Sequence, residues 1–487
     1  MIRSSRQEEP LFYSSDELIG AQSTFYERLS RLNLDWDALA VELRWAFCEN
    51  NGRPTDPVVY LKCFFVGYIE DIERDTDLAA RICDSISIRR FLFGCLSQNP
   101  PDHSSLSRVR RTMAERCDFD LVLNATIELL RSHGLVGGDA VAMDTTLVPS
   151  RARRCFETES TEAPAVSNDQ TELEHEQSQK AEPKKPKSKM VASSYDLEAT
   201  VATKPNYRAR PSYKIAVAAD YKARAILAAD AYPSSTGEPQ ASRLSLADLV
   251  RVTGQSPGYV VADAGMDDSA FHSFVEFFES TPVTALQNRT PTASGFGKEL
   301  FFYDEDRNVY VCPAGKDLPN TTGPYALRQY YTANLAECNE CPLKIACYGK
   351  RKSVKEIKRN VDEASKDRVV ASRRDPKHRK LLARRKAIVE PIFADFKEEG
   401  GLATIWTKGL DCARMKAKIA AAGWNLKILV RALESGCKAR TKPSHPKPTG
   451  GTSMRGLLRT LLVQIHVAWN DLTRILIRRH PLQPTNS

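Results

Sequence analysis

Three acids stand where they could do metal chemistry. Asp144 closes the apolar run AVAM, Asp263 closes GYVVA, and Glu390 lies inside the basic segment RRKAIVEPIFADFKEEGG. Hard divalent cations take oxygen ligands, and Mg²⁺ keeps several of its waters, so a few carboxylates suffice to hold it. Transfer at a phosphodiester needs an activated oxygen and relief of charge on the leaving oxygen. Two cations roughly 3.5–4 Å apart serve both ends. An Asp at the end of a buried strand is rigidly placed, a neighbouring strand can bring a second, and a helix across the sheet can bring a third. Each acid also has a plainer reading. Asp144 can cap the turn at Thr145-Thr146, Asp263 can serve a turn before Ala-Gly, and Glu390 can pair with an arginine. Asp139, Asp220, Asp230 and Asp267 compete as strand-end acids.

The charge around these acids points to a polyanion. The 487 residues carry 70 Lys+Arg against 61 Asp+Glu, a net charge of +9, and the excess is concentrated. Between Lys350 and Lys386 there are sixteen Lys or Arg and five acids, a one-signed stretch running up to Glu390. Such a stretch suits a phosphate-contacting surface better than a solvated face. With 42% hydrophobic residues the chain can bury a normal core, and its length suits roughly three domains. The apolar run CFFVGYI is too short to span a bilayer, and 455–479 is broken by charged and polar residues. The start, MIRSSRQEEP, lacks the apolar stretch of a signal peptide, so the expected location is the cytoplasm, where thiols stay reduced.

The elements that must position the acids follow from periodicity. Residues 1–135 read as helical. Val58, Leu61, Phe65 and Ile69 recur at helical spacing, a helix fits 75–86 with Asp75 as cap, and another fits 101–117 with Ser104 or Ser105 as cap. In the last of these, Leu106, Val109 and Met113 form the inner stripe, while Arg108, Arg110, Arg111 and Arg116 project elsewhere. From 136 the pattern becomes strand (136–150), strand (212–222), strand (225–235), helix (242–254), strand (258–265), helix (269–280), strand (282–289). That order fits an α/β fold with a mixed sheet covered by helices. Residues 157–192 are low-complexity, acidic then lysine-rich, and read as a disordered loop. A helix opening near Lys380 carries Glu390 and is bent or restarted at Pro391, and another spans 410–436. The expected divisions are therefore 1–135, a first core part 136–299, a cysteine-rich basic insert 300–379, and a last core part 380–440. A linker with an amphipathic helix follows at 441–487.

Four cysteines, Cys312, Cys338, Cys341 and Cys347, cluster in the insert. A CxxC among reduced thiols with two more cysteines nearby suits a structural Zn²⁺ site, ahead of a disulfide or an iron–sulfur cluster.

Several motifs carry a family likeness over nearly the whole chain. They are LDWDALA, GRPTDPVVYLKCFFVGYI, SIRRFLFG and PPDHSSLSRVRR before residue 112, then AMDTTLVPSRA, PSYKIAVAADYKARAILAADAYPSS, VVADAGMDD and VEPIFADFKEEGGLATIWTKGL. In these the chain resembles bacterial insertion-sequence transposases of the DDE type. The resemblance implies an RNase H-like catalytic core, a DNA-binding helical N-terminal domain, and Asp144, Asp263 and Glu390 as a triad for Mg²⁺ or Mn²⁺. Lys397 matches the lysine of the glutamate-region signature. Where that signature has Arg four residues before the glutamate, this chain has Lys386, with Arg385 adjacent. Met266 stands where an aromatic is common. Similar cysteine-rich inserts occur in these relatives. The implied partners are terminal inverted repeats, target DNA and further copies of the chain, on the nucleoid in the bacterial cytosol. Lys386, Arg385, Lys397, Arg108, Arg110 and Arg111 are the candidate DNA contacts. The alternatives are a nuclease that cuts without joining, and an inactive DNA-binding derivative.

Overall fold

A computed structural model describes residues 24–47, 56–152, 155–157, 189–191, 196–204, 207–285, 295–322, 328–348 and 354–434. Apart from the short strands at its ends, the loop expected over 157–192 lies outside these residues. So do the linker and helix expected over 441–487.

Seven helices come first: α1 (Phe25–Ser30), α2 (Trp36–Arg44), α3 (Pro57–Ile69), α4 (Asp75–Asp84), α5 (Ile86–Phe93), α6 (His103–Arg116) and α7 (Asp120–Ser132). Helix α3 starts where Asp56 accepts the Val58 N–H with Pro57 at the first helical position. Its burial is wider than one stripe. Leu61, Cys63, Phe64, Phe65, Val66 and Tyr68 are all buried, which makes α3 the central helix of this region. Asp102, rather than Ser104 or Ser105, caps α6, and the two serines donate to its carboxylate. Asp75 is the first helical residue of α4 rather than its cap.

The sheet comprises β1 (Ala140–Pro149), β4 (Val201–Lys204), β5 (Tyr207–Asp220), β6 (Ile226–Pro233), β7 (Tyr259–Ala262) and β8 (Thr281–Thr284). Strands β2 (Cys155–Glu157) and β3 (Lys189–Val191) form a separate short pair. Helix α8 (Glu238–Thr253) lies between β6 and β7, and α9 (Ser269–Phe277) between β7 and β8. Strand β1 is antiparallel to β5 on one side and parallel to β7 on the other. Beyond them β6 pairs with β5 antiparallel and β8 with β7 parallel. The result is a mixed sheet in the expected element order. Strand β1 is buried along almost its whole length, as a central strand covered on both faces must be.

The insert follows: β9 (Phe302–Asp304), β10 (Val309–Val311), β11 (Asp317–Pro319), β12 (Arg328–Thr332), α10 (Leu335–Asn339), α11 (Lys344–Tyr348) and β13 (Glu356–Asn360). It buries a core of its own from Phe301, Tyr310, Leu318, Tyr331 and Ile357. Helix α12 (Glu363–Ser372) returns to the main body, where Ser365 and Arg368 both donate to Glu276 of α9. Helix α13 (Pro376–Glu398) then runs unbroken through Pro391, which neither ends nor restarts it. Helix α14 (Leu410–Glu434) buries Met415, Ile419, Ala422, Leu426 and Leu429, the stripe expected from its sequence. Among the described residues no helix is long and apolar enough to cross a membrane.

The N-terminal helices and the sheet share one continuous hydrophobic cluster, from Tyr26 to Val430. Tyr68 is its polar hinge. Its hydroxyl donates to Asp395 of α13, and the Lys427 ammonium of α14 donates to the same carboxylate at 2.9 Å. Gly423 lets α14 cross α3 here, because a Cβ would overlap the Tyr68 ring.

A cavity beside this junction is lined by Phe64, Ile72, Glu73, Arg110, Lys416 and Ile419. The Lys416 ammonium is sealed from solvent there and has no hydrogen-bond partner among the described residues. Burial first, and the nearby Arg110 next, push its pKa down to about 8. A depressed lysine penalises the folded state in full below its folded pKa, and the penalty is relieved as pH rises toward the unfolded value, a range where the unfolded chain is protonated and the folded one is not. Wild-type stability should therefore rise as pH climbs from about 8 toward the ordinary lysine range. Lys416→Met should be more stable at pH 7 by about 1–3 kcal/mol. Thermal midpoints of the two proteins should converge near pH 10.

Candidate active site

The register of β1 and β7 places the two aspartates. Ala140 pairs with Tyr259, Val141 with Val260 and Ala142 with Val261, in parallel. Continued two residues further, the same register sets Asp144 level with Asp263. Neighbouring strands lie about 4.8 Å apart, and residues level in a parallel pair project to the same face. Tyr259 identifies that face, since its ring meets His378 and Lys377 of α13. Burial pushes the Asp144 carboxyl above its usual range, Arg385 pulls it back, and the proximity of Asp263 pushes it up again. Asp263 itself follows β7 directly and accepts the Gly265 N–H at 3.0 Å, opening a short 3₁₀ turn.

A third carboxylate, unremarked in the sequence, stands next to this pair. A Cβ at Gly265 would overlap Glu238 Oε2 and lie 3.2 Å from Asp263 Oδ1, so the two acids flank one glycine. Glu238 begins α8. The signal that could have found it is the sequence GEP after a buried strand, which starts a helix at the sheet's carboxyl edge.

The competing acids serve other ends. Asp220 accepts the N–H groups of Gly137, Gly138 and Lys222 and shapes a turn. Asp230 pairs with Arg414 and Asp267 with Lys366. Asp139 is exposed at the opposite end of β1.

Glu390 is not brought against the pair. Arg385, on the inward face of α13, reaches Asp144 instead, its Nη1 donating to Oδ2 at 2.7 Å. Glu390 lies about 7.5 Å further along the axis and about 140° round the helix from Arg385, on the exposed side. Lys386 and Lys397 are also exposed. At four residues before and seven after, they share Glu390's stripe. Among the described residues no group of three or more His, Cys, Asp or Glu is arranged to hold a metal ion.

Two expected polyanion contacts turn inward. Arg385 is one. Arg110 is the other, 8% exposed, stacked on Phe64 and ion-paired with Asp75 at 2.6 Å. Their neighbours Arg108 and Arg111 are exposed as expected.

The four insert cysteines line one cavity with Phe296, Phe301 and Leu318, and all four are free thiols. Burial raises the Cys347 thiol, and Cys338, Cys312 and Cys341 are near enough to raise it further. The Lys316 N–H points at Cys312 Sγ at 3.4 Å.

A family model described as transposase DDE domain matches residues 311–430, and one described as transposase domain (DUF772) matches residues 13–112. The first span holds Glu390 and the four cysteines, and the second holds Arg108, Arg110 and Arg111. No curated protein matches the chain. Among solved structures, a piggyBac transposase synaptic complex with hairpin DNA is similar at 12% identity, covering 95% of this chain and 80% of that chain with a TM-score of 0.33. At that score it says nothing of the site.

The arginines of α6 separate by test. Arg110→Ala should cost about 3 kcal/mol, because it strands a largely buried Asp75. Arg108→Ala and Arg111→Ala should leave the thermal midpoint within a degree or two of wild type, as exposed positions do.

Proposed function

The chain belongs to the insertion-sequence DDE transposases, and from that premise we propose that it cuts and joins DNA at the ends of its own element. Asp144, Asp263 and Glu390 are the acids of the reaction. The observation that carries this reading is the closeness of Asp144 and Asp263, each two residues beyond the parallel pairing of Ala142 with Val261 and near enough for Asp263 to raise the Asp144 carboxyl. The strand order β6-β5-β1-β7-β8, antiparallel on one side of β1 and parallel on the other, supports an RNase H-like core.

The paired aspartates fit an oxygen-ligated Mg²⁺ or Mn²⁺. Asp144 lies within β1 and Asp263 just past the end of β7, near enough to raise the Asp144 carboxyl, and Asp144 keeps 21% of its side chain exposed. A divalent cation held there would polarise the phosphodiester and acidify the attacking oxygen. Asp144 and Asp263 would hold it. Glu390 would approach from α13 and orient the attacking water. Lys386 and Lys397, on the same stripe, would bind phosphates beside the scissile bond. Arg108 and Arg111 would bind the backbone of the terminal repeats. Hydrolysis at the element's end leaves a 3′-OH, whose attack on a target phosphodiester forms the new P–O bond as the target's own P–O3′ bond breaks and its 3′-OH leaves. Two ends must be paired for this, so the working form is a homo-oligomer on DNA in the bacterial cytosol. The insert would carry a structural Zn²⁺ on Cys312, Cys338, Cys341 and Cys347.

Asp144→Asn, Asp263→Asn and Glu390→Gln should each abolish cleavage of a terminal-repeat substrate while retaining its binding in a gel-shift assay. A variant that cleaves near the wild-type rate loses its place among the three.

Protein purified without chelator should carry about one zinc per chain. Cys338→Ser or Cys341→Ser should lose it and make the insert more sensitive to protease. Metal analysis finding no zinc in the intact protein would refute the assignment.

A further inference from the structure

Asp144 has both oxygens engaged. Oδ1 accepts the Thr145 N–H at 2.8 Å, and Oδ2 accepts Arg385 Nη1 at 2.7 Å. The ion pair is enclosed, with side-chain exposures of 11% for Arg385 and 21% for Asp144. Arg384 and Leu381 fix this stretch of α13 to Tyr221, through Arg384 Nη2 to the Tyr221 carbonyl and the Tyr221 hydroxyl to the Leu381 carbonyl. Arg385 is therefore held to its partner by a packed helix.

The electrostatic need for it is plain. Asp263 is near enough to Asp144 for the two carboxylates to repel, and a positive charge against one relieves the pair. A divalent cation does the same from the same side. Each carboxylate oxygen has room for two partners, but two cations crowded on Oδ2 repel each other. Arg also keeps its charge at every working pH, and its planar fork fits a carboxylate or a phosphate equally.

We propose that Arg385 is a positioning residue that holds Asp144 ready in the metal-free protein, yields it to a divalent cation, and turns to a DNA phosphate. The proposal rests on the reading of Asp144 as a metal ligand. It has a thermodynamic consequence. Without DNA the freed guanidinium has no anion to receive it, so cation affinity is held down. With DNA it has one, so DNA and cation each tighten the other's binding.

The test titrates Mn²⁺ into the full chain without DNA and reads free Mn²⁺ by electron paramagnetic resonance. Arg385→Gln should bind about tenfold tighter than wild type, within the usual range of such couplings. Arg385→Lys, which keeps the charge, should stay close to wild type. Adding a terminal-repeat duplex should tighten Mn²⁺ binding to wild type more than to Arg385→Gln. Mn²⁺ affinity in a folded Arg385→Gln no higher than wild type overturns the proposal. Asp144→Asn, run alongside, tests the premise, and Mn²⁺ binding unchanged in it removes Asp144 as a ligand. Should Arg385→Gln not fold, phenylglyoxal labelling of the unmutated chain decides, read by mass spectrometry. Labelling of Arg385 should rise when Mn²⁺ saturates the protein, and labelling that stays flat refutes the exchange.

Discussion

The parallel pairing of β1 with β7 is the constraint on which the rest of the molecule depends. Three residue pairs define it, from Ala140–Tyr259 to Ala142–Val261. A slip by one residue would send Asp263 to the other face and part it from Asp144. The register is held because both strands are buried and their side chains are small and apolar: Ala140, Val141 and Ala142 against Val260, Val261 and Ala262. Strands so deeply covered need helices on both faces. The fold therefore supplies α13 along the face that carries the acids, and the cluster that seals β1 runs on into the N-terminal helices.

Helix α13 is pinned at three heights. Its first turn packs on Tyr259 through Lys377 and His378. Its middle is tied to β1 by Arg385 and Asp144. Its last turns are tied to α3 and α14 by Asp395, which accepts from both Tyr68 and Lys427. Glu390 sits midway between the two charged anchors, five residues from each, and faces out. Removing Lys427 would leave Asp395 buried without its cation, a change that typically costs 3–5 kcal/mol. The middle anchor is different in kind, because Arg385 grips the acid proposed above as a metal ligand. The outer ties can stay closed while the middle one opens, so the helix need not unpack for Asp144 to change partners.

Much of this was legible in the sequence, for definite reasons. Apolar runs interrupted by Asp mark buried strands, so Asp144 and Asp263 could be picked out without coordinates, but Asp144 does not end its strand as the run AVAM suggested: β1 continues five residues beyond it to Pro149. The order of strands and helices followed from a change of period near 136. The inward arginines were not legible. Arg110 and Arg111 differ only by one step round α6, and what turns Arg110 inward is Asp75 on a different helix. Arg385 and Lys386 pose the same ambiguity, resolved by an acid 241 residues away. Glu238 was missed because its meaning depends on Gly265, which leaves room for its carboxylate beside Asp263. In each case a long polar side chain is assigned by a partner remote in sequence, and periodicity carries no information about that.

The insert shows the opposite balance. Its buried core is five side chains, three of them aromatic: Phe301, Tyr310, Leu318, Tyr331 and Ile357. So small a unit buries too little apolar surface to stand by itself, and units of this size usually need a staple. Its links to the main body include polar ones, such as Asn360 to Ser269 at 3.2 Å. Polar links of this kind contribute about 1 kcal/mol each, too little to impose order on sixty residues. The cysteine side chains are the remaining resource, and they sit against the same core, with Cys312 and Cys347 packed on it. The stability of the insert and the state of its thiols are therefore one question. The main sheet, with its continuous apolar cluster, depends on neither.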